Sequence, residues 1–256
     1  MKISIITITK NSENTIEETI NSVKSQTYPN IEYIIVDGAS DDNTLKIINS
    51  NRDIITTLIS ENDFGIYDAM NKGLSLATGD IIGILNSDDT YFSPNTVERV
   101  VQAFKANNTD SIYSNLCYVD EHKHIIRYWK AGVLKKTSFQ FGWMPPHPTF
   151  WVKKSIYEKH GRFNTDFRFS ADYELMLRLL HKEKISWHYL NELTVKMRIG
   201  GVSNASIKNR LIANSEDIKA WKINHLKPIW LLTRIAKPIR KITQFKIWRK
   251  KRLSTT

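Results

Sequence analysis

The chain has 256 residues, of which 41% are hydrophobic and 11% aromatic, so it can bury a large core and is not a disordered protein. Its formal net charge is +11, but the segment from Lys227 onwards holds 10 basic and no acidic residues, which leaves 27 basic against 26 acidic residues in the body. The single cysteine, Cys117, excludes an internal disulfide and fits a reducing compartment. No window approaches the roughly 18 apolar residues of a membrane-spanning helix, so we expect a cytosolic protein.

Short apolar strands alternate with helical patterns in the first third of the chain. The predicted strands are Lys2–Thr9, Ile31–Val36 and Ile54–Ile59, and they are rich in β-branched residues. Apolar residues at helical spacing, such as Ile16 and Ile20, follow the first strand. This alternation predicts an α/β fold with a mostly parallel, doubly wound central sheet flanked by helices.

Polar side chains stand at the end of each predicted strand. The first strand ends in Thr9-Lys10-Asn11, the second in Asp37 and the third in Glu61-Asn62-Asp63. Because ligands bind at the carboxyl edge of open α/β sheets, we expect a nucleotide pocket there. The chain has no Gly-x-Gly-x-x-Gly loop and no Walker sequence, so neither a dinucleotide-binding fold nor a P-loop is supported.

The stretch Gly79–Asp89 is the fourth predicted strand, and it ends in Asn86-Ser87-Asp88-Asp89. Two adjacent carboxylates are best tolerated beside a cation, and oxygen ligands suit Mn²⁺ or Mg²⁺ when substrate phosphates complete the coordination. We therefore expect a metal at Asp88, although a plain polar turn is the alternative. Lys72 is a second candidate for neutralising phosphates, or a solvated lysine near a helix end.

Five segments, in this order, resemble motifs of family 2 glycosyltransferases with the GT-A fold. They are Ser4–Asn11, Ser22–Tyr28, Val36–Asp42, Asn71–Gly73 and Leu85–Asp89. The resemblance covers roughly residues 1–225 and is to bacterial enzymes that build cell-surface polysaccharides of the O-antigen, capsule or colanic-acid type.

The resemblance implies roles by position. The residues that would hold the nucleotide base of the donor, most simply a UDP-sugar, are Thr7, Thr9, Asn11 and Asp37. Asn86 would lie near the ribose, and Asp88 would bind Mn²⁺ or Mg²⁺ on the diphosphate. In two places the chain departs from the family, which often has Asp where Asn86 stands and a second Asp where Gly38 stands.

The middle of the chain is expected to hold the acceptor. Antiparallel strands that extend the sheet are predicted around 111–113, 118–120 and 124–129. A stiff loop of prolines and aromatics follows, in which Trp143 could face a sugar ring or simply pack. His147 stands between two prolines, so it could be aimed at an acceptor hydroxyl or phosphate, or only cap a carbonyl.

A helix is predicted to begin at Ser170. Asp172 shares the interior stripe with Leu175, Met176 and Leu179. An acidic residue in a first turn is commonly only a partner of the helix dipole. The resemblance implies instead that Asp172 removes the acceptor's proton in an inverting transfer, opposite a metal-held leaving group.

After a strand predicted over 185–195, Arg198 precedes the paired glycines Gly200 and Gly201. This turn could close over the diphosphate with Arg198 in reach, or it is a plain connection. Many relatives place a His near Ile199, and this chain has none, so a histidine metal ligand from this loop is not expected.

The composition changes near residue 226, which divides the chain into an expected catalytic domain (1–225) and a tail (226–256). Basic residues interleave with Ile, Trp and Phe over 227–253, as in an amphipathic helix that lies on an anionic membrane. Nucleic-acid binding is the alternative interpretation of such a run, but the nearly neutral body shows no nucleic-acid motif, and no nucleic-acid partner is expected. The predicted location is therefore the cytoplasm, peripherally at the inner face of the cell membrane.

The leading hypothesis is an inverting, metal-dependent glycosyltransferase that moves a sugar from a nucleoside-diphosphate sugar onto a lipid-linked or growing surface glycan. A sugar-nucleotide nucleotidylyltransferase is the alternative, although the loop after the first strand lacks the glycine-rich sequence typical of that class. A non-catalytic membrane- or nucleic-acid-binding module is a third possibility, but it would leave Asp88 and Asp172 without a common purpose.

Overall fold

Strands and helices alternate along the computed structural model, which describes residues 1–199 and 207–227. The strands are β1 (Ile3–Thr9), β2 (Ile31–Asp37), β3 (Thr57–Ser60), β4 (Ile81–Ile84), β5 (Asp89–Tyr91), β6 (Ser111–Val119), β7 (Ile125–Trp129), β8 (Trp151–Lys153) and β9 (Trp187–Arg198). The helices are α1 (Ile16–Lys24), α2 (Thr44–Ser50), α3 (Ile66–Leu76), α4 (Thr96–Asn107), α5 (Lys154–His160), α6 (Ala171–Met176) and α7 (Ile207–Ile223). A π-helix over Leu177–Lys182 continues α6 directly.

The strands of the described residues form one sheet in the order β3-β2-β1-β4-β8-β6-β9-β5, with β7 paired to β6. The pairs β1–β2, β1–β4, β2–β3 and β6–β9 are parallel. The pairs β4–β8, β5–β9, β6–β7 and β6–β8 are antiparallel. The α/β fold is confirmed, but the expectation of a mostly parallel sheet is wrong. Beyond β4 the strands are no longer joined by regular helical crossovers, which parallel neighbours require.

The two strands predicted around 111–113 and 118–120 are one continuous strand, β6. The polar residues between them, Ser114 and Asn115, are buried, which the hydrophobic pattern did not anticipate. Ser114 shares a hydrogen bond with Thr194 of β9 (2.5 Å), and Asn115 Oδ1 accepts one from Tyr189 Oη (2.7 Å). These partners make the burial of polar side chains inside the sheet tolerable.

Alternate side chains along the strands point to opposite faces of the sheet and pack in two apolar layers, one on each face. One face packs with α1, α2 and α4, through residues such as Ile20 and Phe104. The other face packs with α3, α6 and α7, through residues such as Met70, Leu175 and Trp221. Among the described residues, no helix has the length and apolar character needed to cross a membrane.

Candidate active site

The parallel strands end together at one edge of the sheet. Thr9 at the end of β1 is level with Asp37 at the end of β2, and Asp37 is level with Ser60 at the end of β3. Leu85, just after β4, continues the ladder by donating its backbone N–H to Ile6 (2.9 Å). The polar segments that follow these strands therefore share one edge, as the sequence predicted.

The loops along this edge are tied to one another. Ser12 after β1 and Ser87 after β4 share a hydrogen bond between their hydroxyls (2.9 Å). The backbone N–H of Asn11 donates to Ser40 Oγ (2.8 Å), and Asn11 Oδ1 accepts from the backbone N–H of Asp41 (3.1 Å). Asn11 has a φ of 50°, a left-handed conformation that Asn tolerates better than most residues. The loops after β1, β2 and β4 thus form one connected rim.

Asp37 lies beneath this rim. Its side chain is fully buried, with Oδ1 accepting from Ser40 Oγ (2.5 Å) and Oδ2 from Ser60 Oγ (2.7 Å). The backbone N–H of Ser40 also donates to Oδ2 (3.0 Å). In this arrangement Asp37 orders the loops after β2 and β3, and a contact between Asp37 and a nucleotide base remains a prediction.

Thr7 lies further inside the sheet. It is fully buried, and its hydroxyl oxygen accepts a hydrogen bond from Tyr33 Oη (3.1 Å). Thr7 stands two residues before the end of a strand that has neighbours on both sides, and a contact between Thr7 and the donor stays a prediction. Thr9, at the strand end, differs because its buried Oγ1 has no hydrogen-bond partner among the described residues.

Asp63 fills the space beside Gly38. A Cβ at position 38 would overlap the Oδ2 atom of Asp63, so a larger residue there would require the Asp63 side chain to move. Asp63 Oδ1 accepts a hydrogen bond from the backbone N–H of Gly65 (2.9 Å). A carboxylate therefore does stand next to position 38, but the loop after β3 supplies it.

Lys72 of α3 contacts the loop after β3, to which Asp63 belongs. Its ammonium pairs with Glu61 (2.8 Å) and with Asp68 (3.5 Å), and it donates to the backbone oxygen of Asn62 (2.8 Å). The hydrogen bond to Glu61 is the main reason that the pKa of Lys72 is raised. The structure thus gives Lys72 a role in holding the loop, while its predicted contact with phosphates stays a prediction.

The acidic segment after β4 holds buried oxygens that lack partners. Both carboxylate oxygens of Asp89 and the Oδ1 atom of Asn86 are buried with no hydrogen-bond partner among the described residues. Burial raises the pKa of Asp89 well above its usual range, and the neighbouring charge of Asp88 raises it further. Burial also raises the pKa of Asp88, although the guanidinium of Arg198 opposes that shift.

Arg198 comes close to this segment because β5 pairs with the end of β9, with Asp89 level with Met197. Its guanidinium also lies 3.4 Å from the carboxylate of Glu18 in α1. Buried polar atoms are almost always paired in folded proteins, so the unpartnered oxygens around Asp88 indicate a site completed by something else.

Within the described part of the chain, no three His, Cys, Asp or Glu side chains cluster as a metal site. The oxygen atoms of Asp88, Asp89 and Asn86 do fit a hard cation that takes its remaining ligands from a substrate diphosphate and water.

Asp172 lies near the start of α6 and is half-buried, as its place on the apolar stripe predicted. Its Oδ1 accepts a hydrogen bond from Tyr67 Oη (3.1 Å). Tyr67 is in the first turn of α3, the helix that follows β3, so the bond brings Asp172 towards the edge where the parallel strands end. Neither the sequence pattern nor the resemblance singled out Tyr67.

His147 belongs to the same group of side chains. Its ring meets the ring of Phe163 edge-on (5.7 Å between centroids), and Phe163 stacks on Tyr67 (5.7 Å). Burial lowers the pKa of His147, and the charge of Asp172 opposes that shift. The predicted acceptor-side residue His147 and the predicted base therefore lie together.

Trp143 does not join them. It is only 6% exposed, its indole N–H donates to the backbone oxygen of Ala131 (2.7 Å), and its ring meets Tyr113 and Phe139 edge-on. Of the two alternatives for Trp143, the structure favours packing, because the indole lies in the apolar core.

Two acidic residues to which the sequence analysis gave no role form polar contacts around the segment that holds Asp172. Glu174 is 2% exposed and pairs with Arg178 (2.9 Å). Asn224, after α7, also donates a hydrogen bond to Glu174 Oε1 (2.9 Å). Glu216 of α7 accepts hydrogen bonds from the backbone N–H groups of Arg168 and Phe169 (both 2.8 Å). Polar contacts across 40 or more residues have no signal in a sequence pattern.

Two of the predicted features cannot be placed. The paired glycines Gly200 and Gly201 and the tail beyond residue 227 lie outside the described residues.

Solved structures of nucleotide-sugar enzymes share this fold. TarS residues 1–349 from S. aureus in complex with UDP aligns with a TM-score of 0.67 and 18% identity, over 90% of this chain and 67% of TarS. The mannosyltransferase PcManGT from Pyrobaculum calidifontis, in complex with GDP-Man and Mn²⁺, aligns with a TM-score of 0.66 and 18% identity, over 93% of this chain and 72% of that one. The fold is thus of the GT-A glycosyltransferase type.

Sequence relatives agree with the fold. An uncharacterised glycosyltransferase of Mycobacterium tuberculosis is 30% identical over 182 residues, 69% of this chain and 68% of the relative. A PGL/p-HBAD biosynthesis glycosyltransferase of Mycobacterium bovis is 27% identical over 213 residues, 82% of each chain. The chain belongs to glycosyl transferase family 2, whose family model matches residues 4–171, and it is a glycosyltransferase.

Proposed function

We propose that the protein is an inverting, metal-dependent glycosyltransferase that uses a nucleoside-diphosphate sugar and acts on a lipid-linked or growing surface glycan. One observation carries the chemical part of this proposal. The edge where the parallel strands end holds buried oxygens of Asn86 and Asp89 that lack partners among the described residues, on either side of Asp88 in the sequence, and the helix that starts from this edge bonds the half-buried carboxylate of Asp172.

The unpartnered oxygens form the donor side. Asp88, with Asn86 and Asp89 beside it, would hold Mn²⁺ or Mg²⁺ against the donor's diphosphate. Such a cation stabilises the negative charge that grows on the leaving diphosphate. Relatives of similar fold bind UDP, UDP-GlcNAc and GDP-Man, which supports a nucleotide sugar as donor, with a UDP-sugar as the first choice.

Asp172 forms the acceptor side. In the proposed step its carboxylate takes the proton of an acceptor hydroxyl while that oxygen bonds to the anomeric carbon. The bond from the anomeric carbon to the phosphate oxygen breaks, and its electron pair leaves with the nucleoside diphosphate. A single displacement of this kind inverts the anomeric configuration.

The direct experiment incubates the full chain with UDP-Glc, UDP-GlcNAc, UDP-Gal or GDP-Man in Mn²⁺, Mg²⁺ or EDTA, and measures release of the nucleoside diphosphate. We expect one donor to be hydrolysed slowly with metal and not in EDTA. Formation of a nucleotide sugar and pyrophosphate from a nucleoside triphosphate and a sugar phosphate would instead indicate the alternative, a nucleotidylyltransferase.

We further propose that the segment 227–253 binds the inner face of the membrane, where a lipid-linked acceptor would be presented. The support is its composition alone, basic residues interleaved with aromatics. Flotation with neutral and anionic vesicles tests it, comparing the full chain with a form that ends at Lys227. We expect the full chain to bind anionic vesicles, less at 1 M salt, where the Debye length is about 3 Å. Equal binding to both lipids, or retention of DNA alone, would contradict this proposal.

A further inference from the structure

We infer that Tyr67 is a positioning residue for the general base, holding the carboxylate of Asp172 so that one oxygen faces the acceptor. This inference rests on the proposed function, because it takes Asp172 as the base. It gives a role to the segment Ile66–Gly73, in which the sequence had pointed to Lys72.

The contact between the two side chains is specific. Tyr67 is 7% exposed, and its hydroxyl lies 3.1 Å from Asp172 Oδ1. Among residues 1–199 and 207–227, no other side chain is found to donate a hydrogen bond to this carboxylate. With Oδ1 occupied, Oδ2 is the oxygen left to take a proton.

The hydroxyl of Tyr67 is the donor in this pair. Burial raises its pKa well above the usual range, and the negative charge of Asp172 adds to that shift, so the phenol keeps its proton. A hydrogen bond from a neutral donor stabilises the charged form of a carboxylate. The hydrogen bond therefore restricts the rotation of the Asp172 carboxylate.

The helix that carries Tyr67 is firmly anchored. Gly73 of α3 approaches β1 so closely that a Cβ there would overlap Ile6 Cγ2. Asn71, one turn after Tyr67, bonds the backbone of Phe163 twice: its Nδ2 donates to the Phe163 oxygen (2.9 Å), and its Oδ1 accepts from the Phe163 N–H (3.1 Å). Tyr67 and Asn71 are four residues apart and share a helix face. Through this face, α3 connects Asp172 and Phe163 to the sheet, because α3 itself packs closely on β1.

The other charged or titratable groups around Asp172 do not replace this donor. His147 faces it from the proline-rich segment, and burial lowers the pKa of His147, which favours the uncharged ring. On the α7 side, Glu216 is bonded to backbone N–H groups, and Asp217 acts on Tyr173. Glu174, in the same helix as Asp172, is paired with Arg178.

The test compares two substitutions that each remove one buried phenol hydroxyl. Tyr67→Phe keeps the ring that stacks on Phe163 and removes the hydroxyl that donates to Asp172. Tyr173→Phe is the matched control, because Tyr173 is next to Asp172 in sequence and 3% exposed. Its hydroxyl oxygen, however, accepts a hydrogen bond from Trp221 Nε1 (2.8 Å). Both variants are assayed for Mn²⁺-dependent donor hydrolysis, donor affinity and thermal stability, with Asp172→Asn alongside.

For Tyr67→Phe we expect kcat to fall about tenfold with donor affinity unchanged, and the acid limb of the pH profile to move to higher pH. Tyr173→Phe should keep the pH profile of the unmodified protein. A ¹³C titration of the side-chain carboxyl of Asp172, assigned with Asp172→Asn, gives a readout independent of turnover. Its midpoint should rise in Tyr67→Phe only.

An unmoved Asp172 midpoint in Tyr67→Phe would overturn the inference, as would equal effects of the two substitutions. Failure of the proposed function would look different. If Asp172→Asn retained full hydrolysis, Asp172 would not be the base, whatever Tyr67 does. If Asp172→Asn were inactive while Tyr67→Phe matched the unmodified protein, only the positioning role would be lost.

Discussion

The two carboxylate sites of this protein are built in opposite ways. Around Asp88, buried oxygens of Asn86 and Asp89 lack partners among the described residues. Burial raises the pKa of both Asp88 and Asp89. Around Asp172, by contrast, Tyr67 donates to one oxygen, and its helix is fastened to the sheet.

The difference teaches how each group could work. A carboxylate that waits for a cation gains from having no protein donors, because N–H and O–H groups would compete with the metal for its lone pairs. A carboxylate that must accept a proton in one direction gains from a donor on its other oxygen. Carboxylate oxygens without hydrogen-bond partners thus mark the side that binds a ligand. A hydrogen bond from a neighbouring side chain marks the carboxylate that must be held in one orientation.

The largest effect is expected at the base itself. Asp172→Asn keeps the shape and the hydrogen bond from Tyr67 but removes the proton acceptor, so turnover should fall about 10²- to 10⁴-fold. Donor affinity by calorimetry should stay within a few-fold. Asp166→Asn, an exposed carboxylate six residues earlier, is the control and should behave like the unmodified protein. Near-normal turnover in Asp172→Asn would exclude this residue as the base.

A smaller effect is expected one step away from the base. Asn71→Leu leaves both backbone groups of Phe163 without their partner, which should cost about 1–3 kcal/mol in the free energy of unfolding. Turnover should fall more than donor affinity, because the segment before α6 loses its anchor. Urea unfolding and donor binding measure the two parts. A loss of donor affinity with normal turnover would show that this helix face serves the donor instead.

Lys72 sharpens the comparison from the donor side. Since its ammonium is already paired with Glu61 and Asp68, Lys72→Met should change donor affinity by no more than about threefold. Calorimetry with the donor and Mn²⁺ checks this. A loss of tenfold or more would instead support the phosphate contact that the sequence suggested.

A control for both sites lies at the opposite edge of the sheet. Glu32 is 5% exposed and bonded to Lys2, Ser4 and Thr78, which together outweigh burial and lower its pKa from 4.5 to about 2. A lowered folded-state pKa stabilises the protein above pH 4.5, and that stabilisation is lost as pH falls towards 2. Glu32→Gln should therefore destabilise at pH 7, with a difference from the unmodified protein that shrinks below pH 4.5. Thermal unfolding across pH measures it; a difference that grows in acid would contradict the assignment.

The four strands of the first third and their shared polar edge could be predicted, because parallel strands buried on both faces are apolar runs that end in polar residues. The mixed sheet could not, since nothing in residues 111–129 says which strand each segment will join. Among site residues, Asp88 and Asp172 stood out because acidic side chains adjoin apolar patterns. The roles of Tyr67 and Trp143 could not be assigned, because the sequence around an aromatic residue does not show whether it packs in the core or donates a hydrogen bond in a site. Contacts such as Tyr67 to Asp172 join residues 105 positions apart, which no local pattern encodes.

The most direct test of this account is the Mn²⁺ dependence of donor binding, measured by calorimetry in two variants with the donor found by hydrolysis. Asp88→Ala should lose the part of the donor affinity that depends on Mn²⁺, while Asp172→Asn should keep it. That result would separate the metal-holding side from the proton-accepting side. Unchanged Mn²⁺-dependent affinity in Asp88→Ala, or an equal loss in both variants, would contradict it.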